Sequence, residues 1–295
     1  MLLSRTTTVL VVIVALEVTI IVIGNVFTIF VFWTQRLRFK RIFLLLINLA
    51  VADLFVGLGG ALALAINTIS SGGNEEEKIE NPWWAFQVFG SFTSVLYLAL
   101  ISLERVFSVL WPFRHRVTSP RAYVYSIVIV WAIGACMSGL WLVRIYGHNG
   151  KLYCSATYSS TLFISLLIIF ASYLKIRNRL RSRAPDHDFD VRKQAATEKT
   201  LRMSRTFFIV IAVSLVFWLP AFVMFLIKEF CSCFSPLEVW LVVALQSVNS
   251  MVNPFVYSFR MPSFQDALKK CRRKRRQIVE LRAIPKKSHN MECNL

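Results

Sequence analysis

The sequence predicts an all-α membrane protein, a seven-transmembrane helix bundle with a short amphipathic C-terminal helix. Its 295 residues are 56% hydrophobic and only 17% charged, with a mean hydropathy of +0.57, too apolar for water-soluble domains of that length. Runs long enough to cross a bilayer, about 20 mostly apolar residues each, recur at 8–33, 42–66, 83–110, 122–145, 158–176, 206–228 and 237–259. The formal charge of +18 would suggest a nucleic-acid partner in a soluble protein, but here the positive residues lie between the spans. No nucleic acid is therefore expected, and membrane lipids are.

The charge also sets an orientation. Arg36, Arg38, Lys40 and Arg41 follow span one; Arg114, Arg116 and Arg121 lie between spans three and four; further basic residues fill 175–205 and 269–276. The positive-inside rule makes these segments cytoplasmic. Glu75, Glu76, Glu77 and Glu80 mark the opposite side, which puts the N-terminus outside and the C-terminus inside. The membrane domain covers 1–260, the third cytoplasmic loop 181–202, a membrane-surface helix 261–273 and a basic tail 274–295.

Span one is too long for the apolar core of a cleaved signal peptide and reads as an uncleaved anchor. It carries Glu17, a carboxylate read as protonated or turned toward a neighbouring helix, and Gly24-Asn25. Span two holds Asn48-Leu49-Ala50-Val51-Ala52-Asp53. An ionised side chain at mid-membrane costs about 2.5–3.5 kcal/mol on insertion scales, so Asp53 is a functional candidate by position alone.

In span three Gln87, Ser91, Ser94 and Arg105 stand 4, 3 and 11 residues apart, close to whole helical turns, and share one stripe. The 18 residues from Gln87 to Arg105 cover about 27 Å at 1.5 Å per residue, so one helix links an outer cavity to an inner face. Ser91 and Ser94 are equally compatible with small-residue helix packing. Span four carries Trp131, span five Tyr173, and span six Phe217-Trp218-Leu219-Pro220. In span seven Asn249, Asn253 and Tyr257 are four apart on one face, and Pro254 leaves a carbonyl without its helical donor, which makes a kink cheap. Beyond it Phe264, Ala267 and Leu268 with Lys269 and Lys270 read as an amphipathic helix on the inner leaflet, and Cys271 is a candidate for palmitoylation.

Gly24-Asn25, Leu49-Ala50-x-Ala52-Asp53, Glu104-Arg105-Val106, Trp131, Phe217-Trp218-Leu219-Pro220 and Asn253-Pro254-x-x-Tyr257, followed by Phe264, together resemble the marks of rhodopsin-like (class A) G-protein-coupled receptors. The resemblance implies an extracellular ligand, a heterotrimeric G protein as partner, a plasma-membrane location and no enzymatic activity. It assigns Arg105 to a resting pair with Glu104, released toward the G protein, with Tyr173, Asn253, Pro254 and Tyr257 as parts of the switch. Asp53, Ser94, Asn249 and Asn253 match the family's sodium site; a hydrogen-bonded network without an ion is the plainer alternative. The ligand cavity carried over by position comprises Gln87, Val88, Ser91, Trp218, Phe222, Phe225, Val243, Gln246 and Ser247, with Trp83 and Trp84 nearer the rim.

The chain departs from the pattern in several places. Glu80 stands where most relatives have the span-three cysteine of a disulfide to the second outer loop, which leaves Cys154 without that partner. Cys231 and Cys233 in the third outer loop can pair with each other, or one of them with Cys154. Span five has Ser165 where a proline is usual, and Ser214 replaces a phenylalanine two turns below Trp218. Loss of the disulfide and of the span-five proline together is similar to the melanocortin, lipid and nucleoside receptor group. Thr200 stands where many relatives brace Arg105 with an acid, so raised basal activity is expected.

Read this way, the cavity is aromatic and uncharged. Gln87 occupies the place of the aspartate that amine receptors use, and an amide cannot neutralise a desolvated ammonium. A monoamine is therefore disfavoured, and span seven has no lysine for retinal. An uncharged, lipid-like, small amphipathic or short peptide ligand fits better. An ion-coupled transporter or channel is the alternative, since Asp53 can bind an ion, but the spans hold only Pro220 and Pro254 to break them and no internal repeat is visible.

Overall fold

The computed structural model describes residues 5–34, 41–69, 82–146, 151–181, 212–227, 230–231, 234–260, 264–266, 268–270 and 273. Helices α1 (Arg5–Thr34), α2 (Arg41–Ile69), α3 (Trp84–Leu110), α4 (Pro112–Val117), α5 (Pro120–Tyr146), α6 (Lys151–Arg181), α7 (Ala212–Ile227) and α8 (Pro236–Arg260) follow in chain order. By length and composition α1, α2, α3, α5, α6 and α8 are able to cross a membrane, and α7 is the described part of the sixth predicted span. The fold is the all-α transmembrane bundle expected.

The apolar residues are turned outward as well as inward. Val12, Leu16, Ile20, Ile23, Phe27 and Phe30 of α1 are exposed, a pattern that suits lipid and would be unstable in water. Helix α3 runs through the centre, packed by α2, α5 and α6, while α1 lies against α2 and α8. Phe163 stacks on Phe222 at 6.0 Å and Tyr158 meets Phe225 at 5.8 Å, joining α6 to α7. The Ser214 hydroxyl donates to Asn249 Oδ1 at 2.7 Å, joining α7 to α8 and closing the ring.

Apolar contact with lipid gives helices little reason to associate, so close approach and interhelical hydrogen bonds carry specificity. At Gly90 a β-carbon would stand 2.5 Å from Val56 N, so only glycine lets α3 meet the α2 backbone there. At Gly24 it would stand 3.0 Å from the Pro254 ring, where α1 crosses the break in α8. Asn25 Nδ2 donates to the Ser250 carbonyl at 3.2 Å, and Trp131 Nε1 donates to Asn48 Oδ1 at 3.0 Å. These bonds tie α1 to α8 and α5 to α2.

Two local features differ from the sequence reading. Helix α4 had not been expected; Pro112 starts it, a position where the missing N–H costs nothing. Helix α6 begins at Lys151, so Cys154, read as a loop residue, sits in its first turn. Past α8, residues 264–266, 268–270 and 273 are helical. Phe264 is fully buried there, its ring 5.4 Å from Phe32 and 6.4 Å from Phe27, while Lys269 and Lys270 are exposed. Cys271 and the tail 274–295 lie outside the described residues, as do 182–211 with Thr200.

Candidate functional site

Three sites lie along α3. At the Gln87 end a cavity of about 70 Å³ opens between α3, α5, α6, α7 and α8. Of the residues expected to form it, Gln87, Val88, Ser91, Phe225, Val243 and Gln246 line it. Ser247 lines instead a smaller adjoining cavity of about 20 Å³, shared with Glu17 of α1, and receives a hydrogen bond from Gln87 Nε2 at 3.1 Å. Trp218 and Phe222 line neither. Trp218 lies below Phe92, which forms the wall above it, with ring centroids 6.3 Å apart, and Phe222 is turned onto Phe163. Trp83 is 48% exposed and stacks on Phe86, leaving Trp84 as the rim residue that faces inward.

The wall is not uncharged, as had been expected. Arg144, in the last turn of α5, lines the cavity while only 5% exposed. Its Nη1 donates to Ser155 Oγ at 3.1 Å, and its guanidinium lies 6.0 Å from the Trp141 ring centroid, within reach of a cation–π contact. Sequence reasoning passed over Arg144 because it falls at the edge of its span. A sign was present: an arginine at an end predicted to face outward runs against the positive-inside pattern. Tyr158, Trp141, Met224, Val239 and Trp240 complete the wall. Across the cavity Gln87 is 4% exposed, and its Oε1 has no hydrogen-bond partner among the described residues.

Midway along α3, Asp53 is completely buried. Ser94 and Ser250 hydroxyls each donate to its Oδ1 at 2.7 Å, and Asn253 Nδ2 donates to its Oδ2 at 2.8 Å. Ser94 and Asn253 were expected here; Ser250 was not, although it stands beside Asn249 in the polar run of α8. Asn249 itself departs from expectation, because Ser214 captures its amide oxygen and its Nδ2 has no partner among the described residues. A phenylalanine at 214 could offer no such bond. The same substitution that marked a departure from the family pattern thus draws Asn249 toward α7. Tyr257 is buried with its hydroxyl unpartnered among the described residues, its ring 6.3 Å from Phe32, and Tyr173 is half-buried on α6.

At the far end of α3 the Arg105 guanidinium pairs with Glu104 Oε2. Glu104 Oε1 lies 2.9 Å from His115 Nε2 of α4, and the Tyr123 hydroxyl of α5 lies 3.2 Å from the same nitrogen. A carboxylate only accepts, so His115 Nε2 carries a proton and donates to Glu104. Arg41 of α2 donates from Nη1 to the His115 carbonyl at 2.6 Å and covers the Tyr123 ring at 5.4 Å. Four helices thus converge on one carboxylate. His115 was not foreseen: an imidazole in a connecting segment gives no periodic signal.

Cys154 is buried and forms no disulfide; its Sγ lies 3.4 Å from the Leu140 carbonyl. Cys231 is disulfide-bonded to a partner outside the described residues. The alternative that paired Cys154 with the third outer loop is therefore corrected: the early start of α6 turns Cys154 into the bundle.

Residues 24–257 match the model of the 7 transmembrane receptor (rhodopsin family). Sphingosine 1-phosphate receptor 1 of Danio rerio is 24% identical over 261 residues, covering 81% of this chain and 71% of that protein. 5-hydroxytryptamine receptor 6 of Rattus norvegicus is 28% identical over 268 residues, 76% of this chain and 61% of that receptor's length. Lysophosphatidic acid receptor 3 of Mus musculus is 22% identical over 285 residues, 86% of this chain and 78% of the relative. Lipid and monoamine receptors thus match side by side, and all are receptors rather than enzymes.

Proposed function

The chain belongs to the rhodopsin family of seven-transmembrane receptors, and we propose that it converts binding of an extracellular ligand in the Gln87 cavity into activation of a heterotrimeric G protein at the Arg105 end. The observation that carries this is the continuity of α3. One helix forms the cavity wall with Gln87 and Ser91, holds Asp53 through Ser94, and ends in the Glu104–Arg105 pair. A shift of α3 against α7 or α8 at the cavity therefore reaches the latch as movement of a rigid rod, which is how packed helices carry a change between two sites.

In this reading the receptor sits in the plasma membrane with its N-terminus outside, as the basic segments favour, and the Arg105 end faces the cytoplasm. The apolar, aromatic cavity walls support a lipid-like or small amphipathic ligand. Gln87 in place of a carboxylate disfavours a monoamine, whose desolvated ammonium an amide cannot neutralise.

Asp53 is the proposed sodium site. Its carboxylate with the Ser94 and Ser250 hydroxyls offers the oxygen donors a hard cation requires, and complete burial of the carboxylate favours a compensating positive charge. Asn249 is replaced by Ser250 in that donor set. A bound cation would neutralise the carboxylate and hold α2, α3 and α8 together.

The test is a ligand panel on cells expressing the receptor with several G-protein chimeras, read as cAMP and inositol phosphate. A ligand response that vanishes in Arg105→Ala at equal surface expression supports the reading. Ligand-dependent current or uptake without any G-protein output would replace it with a transport function.

A further inference from the structure

We infer that the smaller cavity beside Gln87 binds a proton on Glu17, and that through it acidity outside the cell quiets the receptor. The sensing half of this rests on the receptor reading; the proton site itself rests on the cavity alone. That cavity, about 20 Å³, lies between α1, α2, α3 and α8, where Glu17, Gln87 and Ser247 stand amid apolar and aromatic side chains. At about 10–15 Å³ for each water, it has room for one.

Oxygen acceptors outnumber hydrogens there. The Ser247 hydroxyl gives its hydrogen to the Val243 carbonyl at 3.0 Å and receives Gln87 Nε2 at 3.1 Å. Gln87 Oε1 is left buried and without a partner among the described residues. Glu17, half-buried on α1, has no hydrogen bond or ion pair among the described residues either. The two come together at one glycine: a β-carbon on Gly60 would stand 3.1 Å from Cγ2 of Val18, the neighbour of Glu17, and 4.0 Å from Gln87 Oε1. A carboxylate and an amide oxygen can only accept, so the pair is unfavourable until a hydrogen lies between them. A proton taken up from water by Glu17 supplies it. The carboxyl O–H then donates to Gln87 Oε1, directly or through the single water, and ties α1 into the chain that runs from α3 through Ser247 to α8.

Among the described residues that line the cavity, Glu17 alone is titratable. On the elements packed around it, Asp53 stands seven positions from Gly60 along α2, Glu104 and Arg105 lie at the far end of α3, and Glu238 of α8 is exposed and bonded to Ser235. Arg144 lies across Gln87, in the wall of the main cavity. The two cavities share Trp84, Gln87, Trp240 and Val243, so the proton reaches Glu17 from the ligand side, past the Gln87 side chain. Once bound it pins α3 and opposes the shift that signals.

The experiment uses infrared difference spectroscopy on the purified full-length receptor in lipid nanodiscs, stepped from about pH 8 to about pH 5.5, an interval in which unperturbed Asp and Glu stay largely ionised. A protonated-carboxyl C=O band should appear at the acid end and be missing in Glu17→Gln. Glu17→Asp, whose shorter side chain reaches Gln87 less well, should keep a band but displace it. Absence of the band, its survival in Glu17→Gln, or an unchanged band in Glu17→Asp overturns the site. In cells, acidifying the medium over the same interval should lower basal output about two- to tenfold, the effect of one hydrogen bond on a two-state balance. Glu17→Gln, whose amide donates at any pH, should stay low throughout. Output that is unchanged or raised by acid in the wild type overturns the sensing role. Infrared detection needs no G protein, so a band assigned to Glu17 without G-protein output at any pH would overturn the receptor reading and leave the proton site standing.

Discussion

His115 Nε2 lies 2.9 Å from Glu104 Oε1 while Arg105 occupies Oε2, so the carboxylate at the end of α3 is clamped from both sides. The clamp fixes Glu104 in the position from which it restrains Arg105. Removing His115 should free it. A buried hydrogen bond to a charged group contributes about 1.5–3 kcal/mol, enough to shift a two-state balance at least tenfold if most of it is lost. His115→Ala is therefore expected to raise basal G-protein output severalfold, and Glu104→Gln to raise it further. Basal cAMP and inositol phosphate at matched surface expression check this; output unchanged in both variants would remove the latch from the mechanism.

Thr200 gives a separate expectation, that the unmodified receptor signals above background without ligand. Comparison with mock-transfected cells tests it. Equal output would mean that the His115–Glu104 clamp suffices without an acid from the sixth span.

The Asp53 cluster predicts a sodium effect on stability. Replacing choline with sodium at constant ionic strength should raise the melting temperature of the purified receptor, and Asp53→Asn should abolish the difference. Ser250→Ala should weaken it, whereas Asn249→Ala should leave most of it, because Asn249 faces Ser214. A sodium effect that is lost with Asn249 and kept without Ser250 would reverse the assignment.

Gly90→Val places methyl groups where a single β-carbon already meets the α2 backbone at 2.5 Å. Backbone cannot rotate away as a side chain can. Overpacking of this kind costs about 1–3 kcal/mol, and a fall in both surface expression and melting temperature is expected. Wild-type values for both would show that α2 and α3 separate more easily than their contacts suggest.

Cys154→Ala should leave surface expression and ligand potency within about threefold of wild type, since it breaks no disulfide and removes little volume from the bundle. Cys231→Ala should reduce both, because it opens a disulfide. Comparable losses in the two variants would indicate that they share a bond.

The seven-helix architecture was legible because membrane solvation writes itself into composition: about twenty apolar residues per crossing and charge between crossings. Asp53, Glu104 and Arg105 were legible for the same reason, since each breaks an apolar run. Helical spacing placed Ser94 and Asn253 on polar faces, and their meeting at Asp53 was what the family resemblance implied. What escaped depended on side-chain direction across helices. Asn249 shares a face with Asn253, yet Ser214 decides where its amide points. Arg144 stood at a span boundary, where an exposed and a buried arginine look alike in sequence. His115 acquired its role only because α4 folds back under α3.

The early start of α6 leaves only residues 147–150 between α5 and α6. It also places Ser155 on a helical turn, where its hydroxyl receives the Arg144 guanidinium from the last turn of α5. A helical backbone fixes the direction in which each side chain leaves it, so this stretch of the cavity wall has its shape before any ligand arrives, and what enters must conform to it.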